Sequence, residues 1–356
     1  MRRPGGIRWT LALLAVGVAG CAGAGEPPSD TGRPRVTATV ATGLAVPWGI
    51  AFLPDGSAVV TERDSRRVLR LASRGESVEV TEIGLVEEAA PEVEAGLLGV
   101  AVSPEFASDH TLFLYATTAR DNTVFKVALV GDHLGTPTPI LTGIPKGVIH
   151  DGGRLAFGPD GFLYVSTGET GDPTLAQDPD SLAGKILRIT PDGDPAPGNP
   201  DEGSPVWSLG HRNVQGLAFD ASGQLWASEF GDQTFDELNR VTRGGNYGWP
   251  DVEGRGGEPE YVDPVLTWST EDASPSGLAF AHGALWMAAL RGQRLWQIPL
   301  DGDTPGAPVG LFTGDYGRLR TVVSTPTGDL WVATSNRDGR GDPADLDDRI
   351  LLVSSG

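Results

Sequence analysis

The chain has 356 residues, a formal net charge of −20 at pH 7, 50 glycines and 28 prolines. This acidity argues against nucleic acid or an acidic membrane surface as a partner, because both repel an acidic protein. The glycine and proline content indicates many turns, and 39% hydrophobic residues are enough for a folded core rather than a disordered chain.

The N-terminus has the pattern of a targeting segment. An apolar run over residues 11–18 follows three basic residues, Arg2, Arg3 and Arg8. The run is too short to span a bilayer as a stable helix. We therefore predict a lipoprotein signal peptide over residues 1–20.

Cys21 is the only cysteine of the chain and closes the sequence Val-Ala-Gly-Cys, which resembles a bacterial lipobox. A lipidated Cys21 followed by a flexible tether over residues 21–35 is the interpretation we prefer, and an ordinary secretion signal is the alternative. The lipid anchor would hold the protein in the cell envelope, on the outer side of the cytoplasmic membrane.

A strand–turn–strand pattern recurs through the rest of the chain, as in RLAFGPDGFLYVST. Its six copies, about 45 to 60 residues apart, begin at residues 49, 99, 154, 216, 277 and 320. Repeats of this size with few helical patterns are typical of β-propeller blades, which share a core when they stack radially. We predict an all-β, six-bladed β-propeller that forms one domain over residues 36–356.

Two blades present polar residues just ahead of their first strand. His150 starts the stretch HDGGRLAFGPD, and Arg212 and Asn213 lie in LGHRN, at the same relative position in the following blade. Loops on a rigid scaffold commonly carry binding and catalytic residues. His150 is thus a candidate catalytic residue, and Arg212 could hold an anion or polarise a carbonyl group.

A further stretch, residues 228–250, is rich in oxygen ligands and glycine and contains SEFGDQTFDELN and GGNYGWP. Carboxylates and backbone carbonyls on such a loop suit Ca²⁺, although the EF-hand spacing is absent. A turn-rich, solvated acidic loop is the alternative interpretation.

Taken together, five stretches in this order resemble the soluble quinoprotein glucose/sorbosone dehydrogenase family, which includes periplasmic aldose sugar dehydrogenases. They are HDGGRLAFGPDG, GKILRITPDGDPAPGNP, LGHRNVQGLAFD, SEFGDQTFDELNRVTRGGNYGWP and GRLRTV, and the resemblance covers about residues 36–356. The resemblance implies a six-bladed propeller that binds pyrroloquinoline quinone (PQQ) and Ca²⁺.

The resemblance also implies roles for individual residues. His150 would be the general base that takes the proton of the anomeric hydroxyl while a hydride moves to the quinone; histidine side chains in general titrate near neutral pH. Arg212, with Asn213 beside it, would stabilise negative charge on a quinone oxygen. The tricarboxylic cofactor would be bound by basic residues at Arg291, Arg318 and Arg320.

The same resemblance implies two calcium sites. The backbone carbonyls of Gly231 and Asp232 would hold the cofactor's calcium, although Asp232 replaces a proline of the family. Glu237 and the backbone carbonyl of Tyr247 would hold a second, structural calcium. Here Ca²⁺ would act as a Lewis acid on the quinone carbonyl.

Three positions depart from the family pattern. Glu94 stands where the family has a glutamine in the cofactor or sugar site, Ile149 replaces an aspartate before the histidine, and Thr170 replaces a glutamine. Glu94 is predicted to weaken PQQ binding through its charge. The departures leave the identity of the sugar open.

The predicted function is therefore PQQ- and calcium-dependent oxidation of an aldose to its lactone, with electrons passed to an external acceptor. A non-catalytic binding propeller on the cell surface and a calcium-dependent, lactonase-type hydrolase are the alternatives. The cluster of candidate arginines favours the quinoprotein, because a hydrolase has no need of it.

Overall fold

The computed structural model describes residues 32–75 and 77–354. The predicted signal peptide, the lipidation site Cys21 and most of the predicted tether lie outside these residues. The described chain is almost entirely β-structure, with one short α-helix, α1 (Phe106–Asp109), and one 3-10 helix (Pro173–Ala176). Neither helix is long and apolar enough to cross a membrane.

The strands of the first three blades follow the N-terminal strand β1 (Arg35–Ala41). They are β2 (Pro47–Phe52), β3 (Ala58–Glu62), β4 (Arg67–Arg74), β5 (Ser77–Leu85), β6 (Leu97–Val102), β7 (Thr111–Thr117), β8 (Asn122–Val130), β9 (His133–Leu134), β10 (Thr138–Ile144), β11 (Leu155–Phe157), β12 (Leu163–Ser166), β13 (Lys185–Ile189) and β14 (Val206–Leu209).

The strands of the last three blades complete the chain. They are β15 (Val214–Phe219), β16 (Leu225–Glu229), β17 (Phe235–Arg240), β18 (Leu266–Ser269), β19 (Pro275–Ala281), β20 (Ala284–Ala289), β21 (Arg294–Asp301), β22 (Thr304–Pro305), β23 (Val309–Leu311), β24 (Leu319–Ser324), β25 (Leu330–Thr334) and β26 (Ile350–Ser354).

These strands form six antiparallel sheets, which are the six blades of a β-propeller. The first blade is β2–β5, and the next four follow in chain order, with β9 and β22 as short additions to the second and fifth. The sixth blade combines β24, β25 and β26 with β1, in the register Arg35 opposite Ser354. The N-terminal strand thus closes the ring, which leaves no open edge between the last blade and the first.

Each sequence repeat forms the two innermost strands of one blade, so the prediction of a six-bladed propeller is confirmed. These strands are buried on both faces, because the blades pack against each other. Val59 and Val68 of the first blade share a core cluster with Leu112 and Phe125 of the second.

Close approach at the centre of the ring explains one recurrent glycine. A Cβ atom on Gly99 in β6 would lie 2.1 Å from the carbonyl oxygen of Gly153, which precedes β11 of the next blade. Any side chain there would push the inner strands of two blades apart. The ring therefore holds the loops that precede its inner strands at fixed positions around one centre.

Candidate functional site

A cavity of about 460 Å³ lies among the loops and inner strands of several blades. Nine residues predicted from the sequence line it: Glu94, His150, Arg212, Asn213, Gly231, Asp232, Arg291, Arg318 and Arg320. The structure thus brings together residues that are up to 226 positions apart in the sequence. Glu237 and Tyr247 do not line this cavity.

His150 is held from behind by a buried carboxylate. Its Nδ1 atom forms a short contact with Glu169 Oε1, and the side chain of Glu169 is only 2% exposed. With Nδ1 engaged in this way, Nε2 is the ring atom left for chemistry in the cavity. Glu169 was not predicted from the sequence. The one feature that could have identified it is the presence of a carboxylate in the loop after β12, on the same blade as His150.

The backbone around His150 is fixed by two further groups. His150 has a left-handed backbone, with φ 59°, and its N–H donates to Glu94 Oε2 at 3.1 Å. The side-chain oxygen of Asn213 accepts a hydrogen bond from the N–H of Gly152 at 3.1 Å. Asn213 thus holds the histidine loop, and because it also lines the cavity, its predicted contact with the cofactor stays a prediction.

Glu94 is not an isolated negative charge. Its Oε1 atom lies 2.5 Å from Arg340 Nη1, and Arg340 also lines the cavity. Burial on its own would raise the pKa of Glu94, but Arg340 and the amide of His150 hold it below its usual value. Glu94 is therefore ionised and neutralised by Arg340, a partner that was not predicted from the sequence.

Arg212 carries one unsatisfied donor. Its Nη2 atom pairs with Asp232 Oδ1 at 3.0 Å, and its guanidinium lies 5.2 Å from the centre of the Trp249 ring. Its Nε atom is buried and has no hydrogen-bond partner in the described part of the chain. A buried, unpaired N–H is costly unless an acceptor fills the site. The Asp232 carboxylate faces Arg212 and so serves this arginine.

The sixth blade supplies two buried arginines that share one carboxylate. Asp338 Oδ2 accepts hydrogen bonds from Arg318 at 3.0 Å and from Arg320 at 3.1 Å. Although burial would raise it, these two arginines hold the pKa of Asp338 below its usual value. Arg291 is different: its side chain is 58% exposed and it pairs with the exposed Glu271 at 3.3 Å. Asp338 was not predicted from the sequence.

The loop of residues 231–235 forms part of the cavity wall through Gly231 and Asp232. Four consecutive amides, those of Asp232, Gln233, Thr234 and Phe235, donate to Glu253 Oε1 at 2.8 to 3.1 Å. Asp236 Oδ1 accepts the preceding amide, that of Gly231, at 2.9 Å. Although burial opposes the effect, the four amides hold the pKa of Glu253 below its usual value.

The carbonyl oxygens of Gly231 and Asp232 receive no hydrogen bond from the residues that the structure describes. Within those residues, no group of three or more His, Cys, Asp or Glu side chains is arranged to hold a metal ion. A cation at this wall would therefore depend mainly on backbone carbonyls, which are suitable ligands for Ca²⁺.

Glu237 and Tyr247 lie in a buried polar cluster away from the cavity. Asn239 Nδ2 donates to both Glu229 Oε1 and Glu237 Oε2, at 2.6 and 3.0 Å, and His211 stacks on the Tyr247 ring. Burial and the neighbouring Glu229 raise the pKa of Glu237. The buried Asn239 Oδ1 has no partner among the described residues.

Comparison with known proteins shows similarity over most of the chain. Residues 44–350 match the family model for glucose/sorbosone dehydrogenases. The chain is 30% identical over 337 residues to the aldose sugar dehydrogenase of Escherichia coli, covering 82% of this chain and 88% of that protein. It is also 30% identical to the quinoprotein glucose dehydrogenase B of Acinetobacter calcoaceticus, over 68% of this chain and 59% of that protein.

Among solved structures, the chain is similar to the PQQ-bound form of aldose sugar dehydrogenase from Streptomyces coelicolor. The two are 53% identical with a TM-score of 0.88, and the match covers 92% of this chain and 99% of that one.

Proposed function

The chain belongs to the glucose/sorbosone dehydrogenase family, and on this premise we propose that it oxidises an aldose at the anomeric carbon, to the lactone, with PQQ as its cofactor. One observation carries the proposal. His150, backed by the buried Glu169, faces the same cavity as Arg212, Arg318 and Arg320. A base and a cluster of cations around one cavity suit proton abstraction next to an anionic acceptor.

The cavity residues fit PQQ, which carries three carboxylates. Arg318 and Arg320 are two cations that share only one carboxylate, and Arg212 offers a buried Nε–H that lacks an acceptor. Arginine binds carboxylates through paired N–H groups, so these side chains would hold the cofactor. Arg291, being exposed, would contribute less.

The wall at residues 231–235 fits Ca²⁺. Gly231 and Asp232 line the cavity, and their carbonyls receive no hydrogen bond from the described residues, because the amides of this loop donate to Asp236 and Glu253. We also propose a second calcium at Glu237 and Tyr247, where buried carboxylates and the orphaned Asn239 Oδ1 would gain a cation.

In the proposed reaction, His150 takes the proton of the anomeric hydroxyl at Nε2. The Glu169 carboxylate holds the ring in orientation and stabilises the imidazolium that results, so Glu169 is a positioning residue. PQQ would supply the hydride acceptor for the anomeric carbon, and Ca²⁺ would supply a Lewis acid beside it. Arg212 offers positive charge where the negative charge develops.

The electrons are proposed to pass to an external acceptor, because the reduced cofactor must be reoxidised before the next turnover. We also propose that the protein is anchored by a lipid on Cys21, in the cell envelope. Labelling cells with radioactive palmitate should mark the wild-type protein. Labelling of a Cys21→Ser variant to the same level would contradict the anchor.

Reconstitution of the purified protein without residues 1–21 tests the enzymatic proposal. PQQ and Ca²⁺ are added, binding is followed by quinone absorbance, and a panel of aldoses is offered with a dye acceptor. Saturable PQQ binding and aldose-dependent dye reduction are expected. A protein that binds no PQQ, or that binds it and reduces the dye with none of the aldoses, would contradict the proposal.

A further inference from the structure

One buried cation beneath the cavity has no carboxylate partner. Arg154 is 8% exposed, and its nitrogens donate to the carbonyl of Gln215 at 2.8 Å, the carbonyl of Trp48 at 3.4 Å and Thr321 Oγ1 at 3.3 Å. Its guanidinium lies 4.2 Å from the centre of the Trp48 ring. In the described part of the chain it forms no ion pair.

Arg154 lies at the centre of the propeller, where inner strands of different blades meet. Its partners Trp48, Gln215 and Thr321 belong to β2, β15 and β24, and Arg154 itself directly precedes β11. Gln215 also lines the cavity, and its Oε1 atom lies 3.4 Å from Arg320 Nη1. We call the side of the cavity formed by Gln215, Arg318 and Arg320 the cavity floor. Arg154 does not line the cavity and therefore lies below this floor, behind Gln215.

The buried floor holds more positive than negative charge. Arg154, Arg318 and Arg320 are three buried guanidiniums, and Asp338 is the one carboxylate that pairs with any of them among the described residues. Burial and the neighbouring Arg320 lower the pKa of Arg154 to about 9, so it remains charged at neutral pH. A buried charge without a counterion is costly, which makes the floor favourable for an anion.

Arg63, which also lines the cavity, does not add to this surplus. It is buried, and it has its own carboxylate partner in Asp64 at 2.6 Å. The surplus thus arises from Arg154 and from the two arginines that share Asp338.

We propose that Arg154 is an electrostatic positioning residue for the anionic cofactor, which it attracts through its unpaired charge without touching it. This proposal rests on the function proposed above. The hydrogen bonds of Arg154 and its contact with Trp48 hold the guanidinium in place below the floor. Such a charge acts strongly because little solvent lies between it and the cavity. The alternative is that Arg154 only ties the inner strands of the blades together.

A carboxylate placed beside Arg154 separates the two possibilities. Thr321→Asp supplies the missing negative charge, and Thr321→Asn is a neutral control of the same shape. PQQ affinity is measured by absorbance titration in the presence of Ca²⁺. We expect Thr321→Asp to bind PQQ about tenfold more weakly than Thr321→Asn. Equal affinities for the two variants would overturn the proposal.

Substitution of Arg154 itself provides the second measurement. Arg154→Lys and Arg154→Met both lose the three-armed hydrogen bonding, but only lysine retains a charge. We expect Arg154→Lys to bind PQQ within about threefold of wild type, and Arg154→Met to bind it about tenfold more weakly. Equal losses would show a purely structural role. Wild-type protein that binds no PQQ would refute the proposed function instead, so the two failures are distinguishable.

Discussion

Side chains supply the ligand-facing groups on the cavity floor of the sixth blade, whereas backbone groups supply them on the wall at residues 231–235. On the floor, Arg318 and Arg320 are oriented by Asp338. On the wall, Gly231 and Asp232 line the cavity with carbonyls that accept no hydrogen bond from the described residues, and Glu253 accepts the amides of the loop.

The comparison indicates where each side is sensitive to mutation. On the floor, the proposed binding groups are side chains, so replacing such a residue would remove the binding group itself. On the wall, any residue supplies the carbonyl, and the sequence requirement moves to Glu253, which holds the loop from outside. Replacement of a wall residue should therefore matter less than replacement of its support.

The largest expected effect lies at the side chain proposed to take the proton in the chemical step. His150→Ala should lower kcat by about a thousandfold, because the general base is lost. PQQ affinity should change less than threefold. The exposed His133→Ala is the matched control and should keep wild-type turnover. Steady-state kinetics with a dye acceptor measures kcat for both variants. A near-normal kcat for His150→Ala would contradict the role of His150 as general base.

The next effect compares two arginines that the sequence treated alike. Arg318→Ala should weaken PQQ binding by about a hundredfold, since Arg318 is a buried charge, whereas Arg291→Ala should weaken it only about threefold, because Arg291 is exposed. Absorbance titrations give the two dissociation constants. A larger loss of PQQ affinity for Arg291→Ala than for Arg318→Ala would contradict the claim that the buried arginine contributes more to binding.

The wall is tested through its support. Glu253→Gln should raise the Ca²⁺ concentration needed for half-maximal PQQ binding by about tenfold, because a neutral oxygen is a weaker acceptor for the four amides. Asp232→Asn should raise it less than threefold, and the exposed Glu260→Gln should leave it unchanged. If Asp232→Asn has the larger effect, its side chain is the ligand and the backbone account is wrong.

The last effect concerns stability rather than binding and lies next to His150. Burial raises the pKa of Asp151 to about 6 from 3.8, so the native state holds this proton more tightly than the unfolded state does. The associated stability is complete below pH 3.8 and is lost as the pH rises through 6. Asp151→Asn should therefore be more stable than wild type by about 2 kcal/mol at pH 8, with no difference near pH 4.

Urea unfolding at both pH values measures this effect, and the exposed Asp345→Asn is its control. A gain of the same size at pH 4 and at pH 8 would show that charge is not its cause.

The sequence contained most of the fold and the side-chain half of the site. Alternating apolar residues and regular turns are local signals, and they identified the six inner hairpins that the structure contains. His150 and Arg212 could be predicted from their positions just ahead of inner strands, whereas Arg318 and Arg320 were implied only by the resemblance to the family.

The supporting residues could not be predicted, because they depend on contacts between distant loops. Arg340 meets Glu94 across 246 residues, and Glu253 reaches back to a loop about twenty residues earlier. Carboxylates and arginines are common in the loops of this acidic chain, so their types carry little information. The expectation that Glu94 brings an uncompensated charge omitted Arg340 for this reason.

The central claim is that this cavity passes the anomeric hydrogen of an aldose to PQQ, and a single-turnover experiment tests it most directly. Protein loaded with PQQ and Ca²⁺ is mixed with an aldose that carries hydrogen or deuterium at C1, and the quinone absorbance is followed. We expect the sugar to reduce the cofactor, and the reduction to be slower when C1 carries deuterium than when it carries hydrogen. Equal rates for the two sugars, or a quinone that stays oxidised with every aldose, would contradict it.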